Sequence, residues 1–148
     1  MTDTSAGSSV PQLSEAQIQA WTREQFQKAN KFLAEKGIIP NKVNTSESRY
    51  LAPYVAVWKL ESTQPTKASY WVISGDLPTD MIGANAAKDA RDVIRHFSLA
   101  WQLKAENLIQ SGAVRDETQR KFANLLIARA QSLFQLHEQE QLWQGQAV

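Results

Sequence analysis

The chain has 148 residues, a formal net charge of +1 and no cysteine. That length suits one domain with a core large enough to fold without a covalent staple. The lack of thiols excludes disulfides, thiolate metal sites and cysteine nucleophiles, and the near-neutral charge gives no field that would steer the chain to nucleic acid or a membrane surface.

Residues 1–12, MTDTSAGSSVPQ, are small and polar. They read as a disordered tail and contain neither the basic nor the apolar segment of a signal peptide. No apolar run approaches the roughly 20 residues of a membrane span. A cytoplasmic protein is expected, with residues 13–148 forming a single α+β domain.

Ser14 opens the first helix, and Gln17 three residues on completes a capping box. Ile18, Trp21, Ala29, Phe32 and Leu33 recur at helical spacing, with Phe26 at the margin. Gly37 and Pro40 then end the helix, which is expected over Glu15–Lys36. Asn41–Ser48 is polar and turn-like, and Val43–Tyr50 leaves room for a third strand. Tyr54–Leu60 is rich in aromatic and β-branched residues and apolar on both faces, Tyr54, Ala56, Trp58 and Leu60 on one side and Val55 and Val57 on the other. Ala68–Ser74 repeats that character, so the two segments predict an antiparallel hairpin joined by a polar loop at Glu61–Lys67.

A second helix is expected from about Asn85 to Ile109, capped by Asp80 or Asn85 and stopped by Ser111-Gly112. At 100° per residue, Ala86, Ala90, Val93, Ile94, Phe97, Trp101 and Leu108 form one wide apolar face, and Leu99 and Leu103 a second, narrower one. That circumference predicts packing on at least two sides, with Asp89 and His96 at a seam. A third helix opens at Asp116-Glu117 and is expected to reach Trp143, roughly 40 Å, which offers a homodimer face over Asp116–Trp143. Arg129 and His137 lie beside its apolar stripe.

Chemistry concentrates in Tyr70–Trp101. Ser74-Gly75-Asp76-Leu77-Pro78-Thr79-Asp80 follows a strand, and a loop in that place is a frequent binding element. The same residues are also ordinary turn formers. His96 has Asp92 four residues before it, a spacing that suits an orienting acid, but no nucleophile elbow, HExxH or other catalytic motif accompanies it. Tyr54, Trp58, Tyr70, Trp71 and Trp101 suit an interface. The basic residues between them are offset by acids, which argues against nucleic acid.

Ser48-Arg49-Tyr50-Leu51, Val57-Trp58, YWVISGDLPTD at Tyr70–Asp80 and RHFSLAWQLKAE at Arg95–Glu106 resemble a family of short, uncharacterised bacterial proteins, a domain of unknown function. The resemblance implies a bacterial cytoplasmic protein and carries no activity or site residue.

The expected fold is α+β: a helix, an antiparallel hairpin with room for a third strand, then two long helices packed on the sheet and on each other. The expected function is non-enzymatic binding or regulation of a protein or small-molecule partner through a turn-plus-helix surface. Trp58 and Trp71 would anchor apolar groups there, and Ser74, Asp76, Asp80, Arg95 and His96 would supply polarity. The alternative is a small hydrolase or metal-dependent enzyme using Asp76, Asp80, Asp89 and His96. No catalytic residue, metal or cofactor is assigned.

Overall fold

The computed structural model describes residues 13–112 and 115–144; the expected tail over residues 1–12 lies outside them. Helix α1 (Glu15–Glu35) starts as its sequence dictates. Ser14 Oγ accepts from the Gln17 N–H at 3.1 Å, and Gln17 Oε1 accepts from the Ser14 N–H at 2.9 Å. It ends at Gly37, whose φ of 81° suits glycine. The Gly37 N–H donates to the Ala34 carbonyl and the Ile38 N–H to that of Leu33, which satisfies the last turn.

Five antiparallel strands follow: β1 (Ile39–Val43), β2 (Arg49–Leu51), β3 (Val55–Gln64), β4 (Ala68–Gly75) and β5 (Asp80–Gly83). The order is β1-β3-β4-β5, with β2 also on β3. The third strand is therefore two short ones flanking the turn at residues 44–48, β1 along Leu60–Gln64 and β2 along Val55–Val57. The polar stretch 61–64, expected as loop, continues β3 because β1 supplies its backbone partners there, as in Lys42 opposite Glu61. Asp80 opens β5 opposite Ile73, so the helix expected to begin at Asn85 begins later. Helix α2 (Ala90–Gln110) is capped by Asp89, whose carboxylate accepts from the Asp92 N–H at 2.8 Å. Helix α3 (Glu117–Glu138) is capped by Asp116 and stops before the expected Trp143. It spans about 33 Å at 1.5 Å per residue. A short 3-10 turn, Glu140–Trp143, folds back so that Trp143 Nε1 donates to the Leu136 carbonyl at 3.1 Å.

The sheet is the middle layer. Ala56, Trp58, Leu60 and Val72 pack under α1 with Ala29 and Leu33. Alternate residues Val55, Val57, Trp71 and Ile73 pack on the other face against α2 and α3, whose buried side chains include Val93, Phe97, Leu126 and Leu133. The strand faces read from sequence hold from Val55 to Leu60; Tyr54, expected on the Trp58 side, precedes the strand and lies with Val55 toward α3. The narrow Leu99–Leu103 face of α2 is left exposed among the described residues: Leu103 is 62% exposed. The physical reason is that α1 covers the opposite side of the sheet, so α2 packs through its wide face and the flanking Ser98 and Ala105, with Ser98 donating to the Ala130 carbonyl of α3.

Gly75 ends β4 at φ 138°. A Cβ there would lie 2.4 Å from the Tyr54 carbonyl oxygen and 2.8 Å from Val55 Cα, both backbone atoms that cannot yield alone. Gly75→Ala is expected to cost about 3 kcal/mol or more in a urea unfolding curve, combining a sparsely allowed φ with a backbone clash. A loss below about 0.5 kcal/mol, the range of a neutral surface change, would contradict this account.

Candidate functional site

The residues expected to form one surface are divided among three places. Trp58 lies under α1, and its Nε1 donates to Ser74 Oγ at 3.2 Å. Ser74 Oγ in turn donates to the Gln25 carbonyl at 3.4 Å, so Ser74 ties two layers together and is itself fully buried. Trp71 faces the other way, where its Nε1 donates to the carbonyls of Ala87 at 3.2 Å and Ala84 at 3.3 Å. Asp80 accepts from Trp101 Nε1 at 3.3 Å and joins β5 to α2. Arg95 pairs with Asp92 at 3.0 Å on the outer side of α2, and His96 is half-buried with its ring edge-on to Phe97.

The side chains of the alternative enzyme reading have separate occupations: Asp89 caps α2, Asp80 holds Trp101, and Asp76 stands at the β4–β5 turn. No cluster of three or more metal-ligating side chains occurs among the described residues.

Asp92 illustrates the local electrostatics. Burial works to raise its pKa, but the Lys88 backbone N–H, Arg95 and Lys88 together outweigh that, and the carboxyl is held below its ordinary value. Tyr50 moves the other way: burial raises its pKa, and the Ser48 hydroxyl offsets part of that.

The expected surface of the turn with Arg95 and His96 is not assembled; Asp76 of the turn stands beside α3 instead. The Asp76 N–H donates to the Tyr54 carbonyl at 2.9 Å, which fixes the turn against the start of β3. Asp76 Oδ1 lies 3.8 Å from Arg129 Nη2, an ion pair too long for a hydrogen bond. Arg129 is about two-thirds buried. Its Nε is fully buried and has no acceptor among the described residues. Around this pair is a small cleft of about 70 Å³, lined also by Tyr54, Leu77, Ser132 and Leu136. Tyr54, Ser132 and Leu136 also line an adjoining recess of about 420 Å³ that extends to Leu51, Gln135 and Leu142. Arg129, Ser132 and Leu136 follow one another at three- and four-residue steps, which sets them on one line of the helix, and Gln139 stands just past its end. The result is a basic group at the head of a largely apolar trough.

Asp76 is legible in the sequence as a turn residue and Arg129 as a neighbour of the α3 stripe, but nothing in the sequence brings them together. They are 53 positions apart, and only the docking of α3 beside the end of β4 joins them.

A family model matches residues 15–143. The chain belongs to that family, a domain of unknown function (DUF4826). No curated protein and no solved structure matches it. The matched span of this DUF4826 chain runs from α1 to the 3-10 turn at Glu140–Trp143, so both walls of the cleft fall within it.

Two expectations follow from the site's surroundings. Ser74→Ala removes the acceptor that the buried Trp58 N–H has among the described residues and should cost about 1–3 kcal/mol, measured by chemical denaturation. A change of a few tenths would show that the Trp58–Ser74 bond carries no stability. For Asp92, the folded pKa is depressed, so its stabilising contribution is present above the unfolded value of about 3.9 and is lost as pH falls through the folded value. The stability gap between wild type and Asp92→Asn should be full near neutrality and close as pH drops below about 4. A gap that is constant through that range would refute the assignment.

Proposed function

We propose that the protein is a non-enzymatic binding protein that acts through the Asp76–Arg129 cleft, and that its ligand is a small amphipathic molecule with a carboxylate head. The observation that carries this reading is the state of Arg129. A guanidinium offers five N–H donors in a planar fork suited to a carboxylate. Here none makes a hydrogen bond within the described residues, and the nearest acid stands 3.8 Å away on an exposed turn. An incoming carboxylate supplies the acceptors that Asp76 does not. The adjoining recess, walled by Leu51, Leu136 and Leu142, takes the apolar part of the ligand. Its volume of about 420 Å³ falls within the ordinary range of small-molecule sites. Tyr54, Gln135 and Gln139 place a few polar groups on its rim. The cysteine-free composition and the resemblance noted above suit a cytoplasmic setting in a bacterium.

Thermal shift with octanoate, 1-octanol and octylamine tests this directly. Octanoate should raise the melting midpoint by several degrees when present at about 100 times its Kd, where binding adds roughly 2.7 kcal/mol. The alcohol and the amine should not. Arg129→Gln should abolish the octanoate shift while keeping the cooperative transition. Equal shifts from all three compounds, or an octanoate shift that survives in Arg129→Gln, would overturn the reading.

A further inference from the structure

β1 is an edge strand: β3 pairs along one side of it, and no strand pairs along the other among the described residues. A recess of about 440 Å³ lies against it, and all five β1 residues, Ile39 through Val43, line that recess. Side chains of a strand alternate between faces, so lining by consecutive residues means that the recess meets the strand along its backbone edge. Phe26 and Val43 also line a second recess of about 430 Å³, which makes the two one groove. Its helical wall is Ile18, Thr22, Phe26, Asn30 and Ala34. These residues are four apart and form one line down α1. In the second recess Trp58 is flanked by Phe26 and Tyr50, with ring centroids at 5.1 and 4.7 Å. Among the described residues, the charged ones that line the groove, Arg23 and Lys42, are both basic.

We infer that this groove takes an extended peptide segment of a partner protein, added as a strand to β1, with apolar side chains in the two recesses and acidic residues facing Arg23 and Lys42. An open strand edge presents backbone donors and acceptors to an incoming strand, and pockets beside it read alternate side chains. The spacing fits. Thr22 and Asn30 belong to different recesses and are eight helical residues apart, about 12 Å. Four residues of extended chain cover about 13 Å, and residues four apart share a face. Pro40 removes one donor from the edge and Lys42 adds a charge, features that repel unrelated strands and favour an acidic one.

Selection from a phage-displayed library of random peptides about nine residues long, enough to span the groove when extended, tests the inference. Enriched peptides should carry two apolar residues four positions apart with acidic neighbours. Synthetic copies, measured by fluorescence anisotropy, should lose at least about ten-fold in affinity against Ile18→Glu or Lys42→Glu, as expected for anchor contacts. Both positions are exposed, so the melting midpoint of each variant should stay unchanged. Methylation of alternate backbone nitrogens in the peptide should abolish binding, because the strand ladder needs those N–H groups. The inference fails if the library shows no enrichment over the Ile18→Glu, Lys42→Glu double variant. It also fails if enriched peptides bind that variant equally well, or if N-methylated copies bind as tightly, which would mark a helical or side-chain-only mode. These variants leave the Asp76–Arg129 cleft intact, so the outcome is independent of the octanoate result.

Discussion

The organising constraint is that β3 and β4 are apolar on both faces. Trp58, Leu60 and Val72 point to one side, and Val57, Trp71 and Ile73 to the other. Burying one side chain of this size is worth about 1.5–3 kcal/mol, so leaving either face in water would forfeit an amount comparable with a domain's whole net stability. A two-layer arrangement is therefore closed to this sequence. The element order solves the problem: the helix before the sheet covers one face, and the helical pair after it covers the other. The exposed Leu99 and Leu103 are a consequence, since α1 cannot serve α2 while it covers the far face.

The five tryptophans show how that sandwich is tied together. An indole brings a large apolar area with one N–H that needs a partner when buried. Trp58 reaches Ser74 and so links the sheet to the Gln25 turn of α1. Trp71 reaches the carbonyls leading into α2, Trp101 reaches Asp80 on β5, and Trp143 reaches the last turn of α3. Arg49 and Arg91 lie over the Trp143 ring at 5.5 and 6.0 Å. Arg49 also donates to the Leu142 carbonyl, and Arg91 donates to that of His137 at 2.7 Å. The indoles of Trp58, Trp71 and Trp101 thus join segments 16 to 21 residues apart, and that of Trp143 pins the 3-10 turn back on α3. Several side chains that looked like site candidates, Ser74, Asp80 and Trp71 among them, are the fittings of these joints.

What the sequence disclosed divides along the same line. Local signals were legible: the Ser14–Gln17 box, the Gly37 stop, and the alternation of β3 each rest on residues a few positions apart. Long-range pairing was not. The polar end of β3 looks like loop because its strand character comes from its partners, β1 about twenty residues earlier and the start of β4 opposite Glu61 and Ser62. Asp80 looks like a helix cap because nothing local reveals that Ile73 lies across from it. Asp76 was legible as a turn residue next to a strand end, but its basic neighbour comes from α3. Trp58 and Trp71 share a strong interface composition, yet their positions in the hairpin register place them on opposite faces, and only the parity of that register decides the matter.

The same accounting of partners marks where the molecule is incomplete. Only Gln25 Oε1 and Arg129 Nε are buried side-chain atoms without a hydrogen bond among the described residues. Such a vacancy costs about 1–3 kcal/mol, and it persists where something else offsets it. Gln25 is almost fully buried on the inner face of α1 and lines none of the recesses described above, so its cost is internal to the packing of that helix. Arg129 differs, because its guanidinium heads an open cleft whose far wall is apolar. The β1 edge is the backbone counterpart of the same condition, a row of groups with pairing on one side only. β3 is the wall common to both: Val55 lies at the cleft, and Trp58 and Leu60 lie at the groove. It is the most fully paired strand of the sheet, flanked by β1 and β2 on one side and β4 on the other, so both surfaces are built on the part of the fold least free to deform.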